Sequence, residues 1–155
     1  MNINGLINTY NLSRGAVVAV LTAIFGEYWF LFAAFLLLNV FDYVTGWYKA
    51  RKLKTESSML GVKGVVKKLM YWIIIAVSFI TANIITAFGT KLGIDLGITL
   101  FLGWFVLASL TINEIRSVLE NLVEADIKVP EFLIKGLAVA NKIIDAAAGD
   151  NETKE

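Results

Sequence analysis

The stretch LMYWIIIAVSFITANIITAFG, residues 69 to 89, carries no charged side chain. As a helix it rises about 31 Å, enough to cross the roughly 30 Å hydrocarbon layer of a bilayer. No water is available there to satisfy backbone N–H and C=O groups, so the run must close its hydrogen bonds within itself. Two further stretches approach the same length. YWFLFAAFLLLNVF, residues 28 to 41, is interrupted by Asp42 and prolonged by VTGWY to position 48, and LGITLFLGWFVLASLTIN occupies residues 96 to 113. Tyr28, Trp29, Trp47, Tyr48, Tyr71 and Trp72 flank or enter these runs, where aromatic rings sit at headgroup level. The expected fold is therefore an all-α integral membrane protein, a bundle of three transmembrane helices, with a fourth as the alternative.

Composition agrees: the chain is 57% hydrophobic and 17% charged, with a mean hydropathy of +0.70, above the roughly 45–50% apolar content of soluble domains. Cys and His are both absent, which removes disulfides, thiol nucleophiles, the usual zinc ligands and Ser-His or Cys-His pairs. An enzyme is not expected, and no catalytic, cofactor or metal residue is assigned. A nucleic-acid partner is not expected either. The organisation reads as an N-terminal apolar, interfacial helix over 1–26, a transmembrane region over 27–125, and a C-terminal amphipathic helix with an acidic tail over 126–155. Fragment 16–25, AVVAVLTAIF, is too short to span alone. It is expected to lie at the interface or on the bundle, a fourth crossing being the alternative. Its weak basic flank and unconvincing cleavage pattern argue against a secretory signal.

Charge sets orientation. Lys49, Arg51, Lys52, Lys54, Lys63, Lys67 and Lys68 fall between the first two spans against Glu56 alone, whereas the next connection holds only Lys91 and Asp95. By the positive-inside rule the basic loop 49–68 and the C-terminus face the cytoplasm. Those cations attract anionic lipid at about 1 kcal/mol each near the surface, or they set topology alone.

The polar positions within the spans are the candidate functional residues. Asn39, Asp42, Tyr43, Gly46 and Lys49 form one stripe on the first helix. A carboxylate at a helix centre costs about 2.5–3.5 kcal/mol on insertion scales, so such a stripe faces protein or water rather than lipid. In TINEIRSVLENL, residues 111 to 122, nothing breaks the helix, so the third span should continue as an amphipathic cytoplasmic rod. Asn113, Ser117, Glu120, Asn121 and Glu124 share its polar side. Arg116 has two candidate partners, Asp42 across the bundle and Glu120 at i,i+4. Ser78, Ala82 and Gly89 share a face of the second span, and Gly93 and Gly97 stand in GxxxG spacing. Ser57 and Ser58 read as a cap for the second helix. After Pro130, the spacing of Leu133, Leu137, Ala140, Ile144 and Ala147, with Lys135, Lys142 and Asp145 opposite, predicts a helix on the inner membrane surface. GDNETKE reads as a solvated tail.

The segment DYVTGWYKARKLKTESSMLGVKGVVKK, residues 42 to 68, resembles the signature of the toxin-secretion/phage-lysis holin family of phages and clostridia. The matching positions are Asp42, Tyr43, Gly46, Lys49, Ala50, Ser57, Ser58, Gly61, Gly64, Lys67 and Lys68. A second signature is similar to NEIRSVLEN, with Asn113, Glu114, Ser117, Glu120 and Asn121, followed by Pro130. The resemblance covers roughly residues 28 to 135, and residues 1 to 26 carry little of it. It implies a holin: a protein of the bacterial host cytoplasmic membrane that self-associates, at a set time, into lesions releasing an endolysin or a toxin. The implied partners are the bilayer, further copies of the chain and an antiholin. A dual-start inhibitor form is not visible, since the next methionines are Met59 and Met70. A polar seam of Asn39, Asp42, Gly46, Asn113, Glu114, Arg116, Ser117, Glu120 and Asn121 is the expected self-association surface. The alternatives are a small channel or transporter, or a structural membrane subunit of a larger secretion or phage machine. In the bland reading Asp42 and Glu114 only anchor helix ends.

Overall fold

A computed structural model of the chain describes residues 14–19, 22 and 26–148, without side chains for Asp145, Ala147 and Ala148. Among them the regular structure is helical throughout: α1 (Trp29–Lys52), α2 (Ser58–Leu92), a single 3-10 turn (Gly97–Thr99), α3 (Leu100–Glu124) and α4 (Glu131–Ala148). Three helices are long and apolar enough to cross a membrane: Trp29–Lys52, Ser58–Leu92 and Gly97–Glu124. The protein is thus an all-α membrane bundle.

The chain divides into two compact units, residues 1–36 and 37–155. In the first, residues 14–19 are helical, and the N-terminal part of α1 buries Phe32 and Phe35. Most of the N-terminal segment expected to lie at the interface, and the tail GDNETKE, lie outside the described residues.

In the second unit α2 and α3 form a hairpin. Ile75, Ser78, Ala82 and Gly89 are buried on one face of α2, Gly103, Leu107, Glu114 and Asn121 on one face of α3. Small residues set the approach. A Cβ on Gly103 would come within 2.6 Å of the Phe79 ring, which meets Trp104 edge-on at a centroid distance of 5.0 Å. Between lipid-solvated helices, such packing is the main associating force. Ser78, Thr86, Ser109 and Thr111 return their hydroxyls to the carbonyl four residues back, at 2.7–2.9 Å, so none is left unsatisfied in the apolar layer. At the far end of the hairpin the Thr86 and Thr99 hydroxyls are 3.0 Å apart.

The GxxxG spacing has a different meaning from a helix-packing face. Gly93 sits beyond the end of α2 with φ 72°, the left-handed cap that favours glycine, and Gly97 opens the 3-10 turn. Both belong to the connection between two helices. The basic segment 49–68 also differs from a loop: residues 49–52 finish α1 and residues 58–68 begin α2, which leaves only 53–57 as connection. Ser57 occupies the cap position of α2 in an extended conformation, with no side-chain cap bond.

The helix continues unbroken through TINEIRSVLENL to Glu124. It ends with Asp126 in the left-handed region at φ 54°. The Lys52 ammonium donates to the Ala125 carbonyl and lies 3.0 Å from the Asp126 carboxylate, placing a cation at the negative end of the helix dipole. Helix α4 starts after Pro130 and turns Leu137, Ala140 and Ile144 half inward, while Phe132, Val139 and Ile143 stay exposed.

Candidate functional site: an ion-bridged seam between three helices

Asp42 comes from α1, Lys68 from α2 and Glu114 from α3. The Lys68 ammonium is 2.8 Å from Asp42 Oδ2 and also donates to Glu114 Oε2, so one cation serves two carboxylates. Glu114 is 2% exposed, and the Lys68 and Asp42 side chains retain 14% and 17%. The second oxygen of Asp42 accepts from Asn121 Nδ2 at 2.8 Å. That amide fits because Gly46 has no side chain: a Cβ there would touch Asn121 Nδ2 at 3.4 Å. Removing such ions from water costs several kcal/mol apiece, and charge-assisted bonds offset that only when the partners remain together.

Local sequence explains the placement. Lys68, Tyr71, Ile75, Ser78 and Ala82 lie at offsets of three, seven, ten and fourteen, so Lys68 continues the face that carries the small residues of α2. Lys67, one residue earlier, is turned away and exposed. Glu114 and Asn121 are seven residues apart on the buried face of α3, and Asn39, Asp42, Gly46 and Lys49 run down the inner side of α1. Lys49 reaches Glu124 at 3.4 Å.

Other expected positions fall elsewhere. Tyr43 is half exposed to the outside of α1. Asn113 is half-buried and donates to the Tyr71 hydroxyl at 3.2 Å. Ser117 is half-buried, and Glu120 is exposed. Of the two partners open to Arg116, the nearby one is chosen: it donates to Asn113 Oδ1 at 3.0 Å and stands 3.8 Å from Glu120, while Asp42 is held by Lys68. Arg51, Lys54, Lys63 and Lys67 are exposed, as suits contact with headgroups or water, and Arg51 stacks over the Trp47 ring at 5.3 Å. Lys68, grouped with them by its place in the basic segment, faces the carboxylates instead. The sequence signal for it was the face it shares with Ser78 and Ala82.

Three apolar crossings joined by a charged seam, with a row of lysines at one end, define a multi-pass membrane protein. Comparison with known families narrows this. The model of the bacteriophage holin family matches residues 19–142, and the chain belongs to that family. It is a family of non-enzymatic, pore-forming membrane proteins, so a phage-type holin role is established in broad terms. The chain is similar to the uncharacterised protein Lin0175 of Listeria innocua, at 34% identity over 88% of this chain and 86% of the relative. It is also similar to Lmo0128 of Listeria monocytogenes, uncharacterised too, at 32% over the same shares. A third uncharacterised relative, BH0965 of Halalkalibacterium halodurans, is 25% identical over 82% of this chain and 90% of its own length. No solved structure matches the chain.

Proposed function

We propose that the chain assembles in the cytoplasmic membrane into lesions through which an endolysin or toxin leaves the cell, and that the Asp42–Lys68–Glu114 seam governs the assembly. The observation that carries this reading is the seam itself: three charged groups on three different helices, satisfied within one chain. Charged groups that cannot face lipid hold the helices together while paired. When copies meet, the same groups can pair between chains or line a wet interior, with the lipid still facing only apolar side chains. The seam is thus both a lock on the single chain and a reservoir of polar surface for an assembly.

The lysine-bearing end, with the C-terminus, faces the cytoplasm in this reading. Because the chain has no cysteine, single introduced thiols report on this cleanly. A membrane-impermeant thiol reagent applied to intact spheroplasts is expected to modify Ile94→Cys and to leave Thr55→Cys unmodified until the cells are opened. The reverse pattern would invert the topology.

Lesion formation is tested by inducing the chain alone in bacteria while following membrane potential and escape of a folded cytosolic reporter enzyme. Sudden depolarisation with enzyme release supports the proposal. Depolarisation without release points to a small channel, and no change in either points to a structural subunit or a holin regulator. Asp42→Asn keeps shape and removes the charge that Lys68 holds. It is expected to shift the onset of release by minutes or more, and unchanged timing and lesion size would detach the seam from assembly.

A further inference from the structure

Lys67 and Lys68 are neighbours in sequence and opposites in placement, and the outward one belongs to a second, smaller network. The Lys67 ammonium lies over the Tyr71 ring, 5.5 Å from its centroid. The Tyr71 oxygen accepts from Asn113 Nδ2 at 3.2 Å, and Asn113 Oδ1 accepts from Arg116 at 3.0 Å. Four side chains from α2 and α3 are therefore linked across the outer flank of the hairpin, with a cation at each end. Since Tyr71 acts as acceptor toward Asn113, its own O–H remains to donate. Among the described residues no carboxylate lies within ion-pair distance of Lys67, and the carboxylate nearest Arg116, on Glu120, is 62% exposed at a long 3.8 Å.

The level of this network in the membrane is fixed by the apolar runs. Lys67 stands two residues before the uncharged stretch 69–89, and Asn113 closes the stretch 96–113. Both mark the boundary where hydrocarbon gives way to headgroups. Directly toward the hydrocarbon on the same side of α2, Met70 and Ile74 are exposed. They lie three and seven residues beyond Lys67, on its side of the helix.

We propose that Lys67, Tyr71 and Arg116 form a site for the phosphate of an anionic phospholipid, whose acyl chains run along Met70 and Ile74. Two cations at the ends of one network leave an excess positive charge along it, which favours a headgroup without an ammonium over a zwitterionic one. The tyrosine O–H supplies a directional donor, and Asn113 holds both that tyrosine and the Arg116 fork in place. This assignment deepens the attraction of the basic segment to anionic lipid and rests on membrane insertion alone, so it stands or falls separately from lesion formation.

The test uses the full chain in nanodiscs of phosphatidylcholine containing 10 mol% phosphatidylglycerol, with the lipid retained by the protein after gentle release counted by native mass spectrometry. Diffuse attraction contributes about fivefold per cation near an anionic surface, so a built site requires Lys67→Gln with Arg116→Gln to lower the preference for phosphatidylglycerol by more than about 30-fold. Lys67→Gln alone, at an exposed position, should lower it about fivefold without touching the fold. Arg51→Gln with Lys54→Gln removes the same charge elsewhere and should cost no more than this diffuse amount. Equal losses from the two double variants, or no loss from either, would overturn the site in favour of diffuse attraction or none. Displacement by millimolar glycerol phosphate at unchanged lipid content would show a phosphate site that needs no lipid and would overturn the lipid as its occupant.

Discussion

A Lys68→Met chain purified in detergent is expected to lose about 3–5 kcal/mol of stability, the usual consequence of removing one member of a buried ion pair. Two carboxylates would remain, Asp42 at 17% and Glu114 at 3% side-chain exposure, facing each other without a cation. Thermal unfolding followed by circular dichroism reads the loss. The more telling measurement is rescue. The chain carrying Lys68→Met together with Asp42→Asn and Glu114→Gln has no charge left to strand, and it should recover most of the lost stability. If the triple variant is as unstable as the single one, the packing of the lysine stem, and not its charge, is what the site requires. If rescue succeeds, the neutral chain also tests the proposed part of the seam in assembly, because it folds without the charges.

The second large effect is steric. Gly103→Leu places a side chain where even a Cβ would overlap the Phe79 ring, and the hairpin must open to accept it. The milder Gly103→Ala is expected to cost about 1–3 kcal/mol, the range for overpacking a filled interior. The partner is identifiable, so the claim can be checked by a cycle. Phe79→Leu vacates the ring edge that the new methyl meets, and the double variant should be more stable than the two single losses predict, by about 0.5–3 kcal/mol. Simple additivity in the cycle would mean that the strain of Gly103→Ala falls elsewhere than on Phe79.

The crossings were legible because hydrocarbon imposes length and polarity without regard to neighbours: residues 69 to 89 can hardly do anything else. Continuity of α3 through residues 111–122 was legible for a related reason, the lack of any breaker, and so was the start of α4 after Pro130. Which side of each helix meets another was harder to read. In a soluble helix the buried face is apolar and the other polar, but in a membrane helix both faces are apolar and the period loses contrast. Asp42 and Asn121 could be placed on an inner stripe because polar groups avoid lipid. Lys68 could not, because its position among six other cations offered a surface explanation that needed no partner. The spacing of Gly93 and Gly97 could not be assigned a meaning from the sequence, since it matches helix packing and a connection alike, and only the backbone shows a positive φ at one and a 3-10 start at the other.

Helix α3 has no hinge between Glu114 and Asn121, which stand about 10 Å apart along one face. On such a helix a roll about its axis carries both off Lys68 and Asp42 by the same angle. Such a roll strains an ion pair and a hydrogen bond at once, along with the Lys49–Glu124 pair further along the same helix. Contacts mounted on one stiff helix are thus tied to a single rotation of that helix.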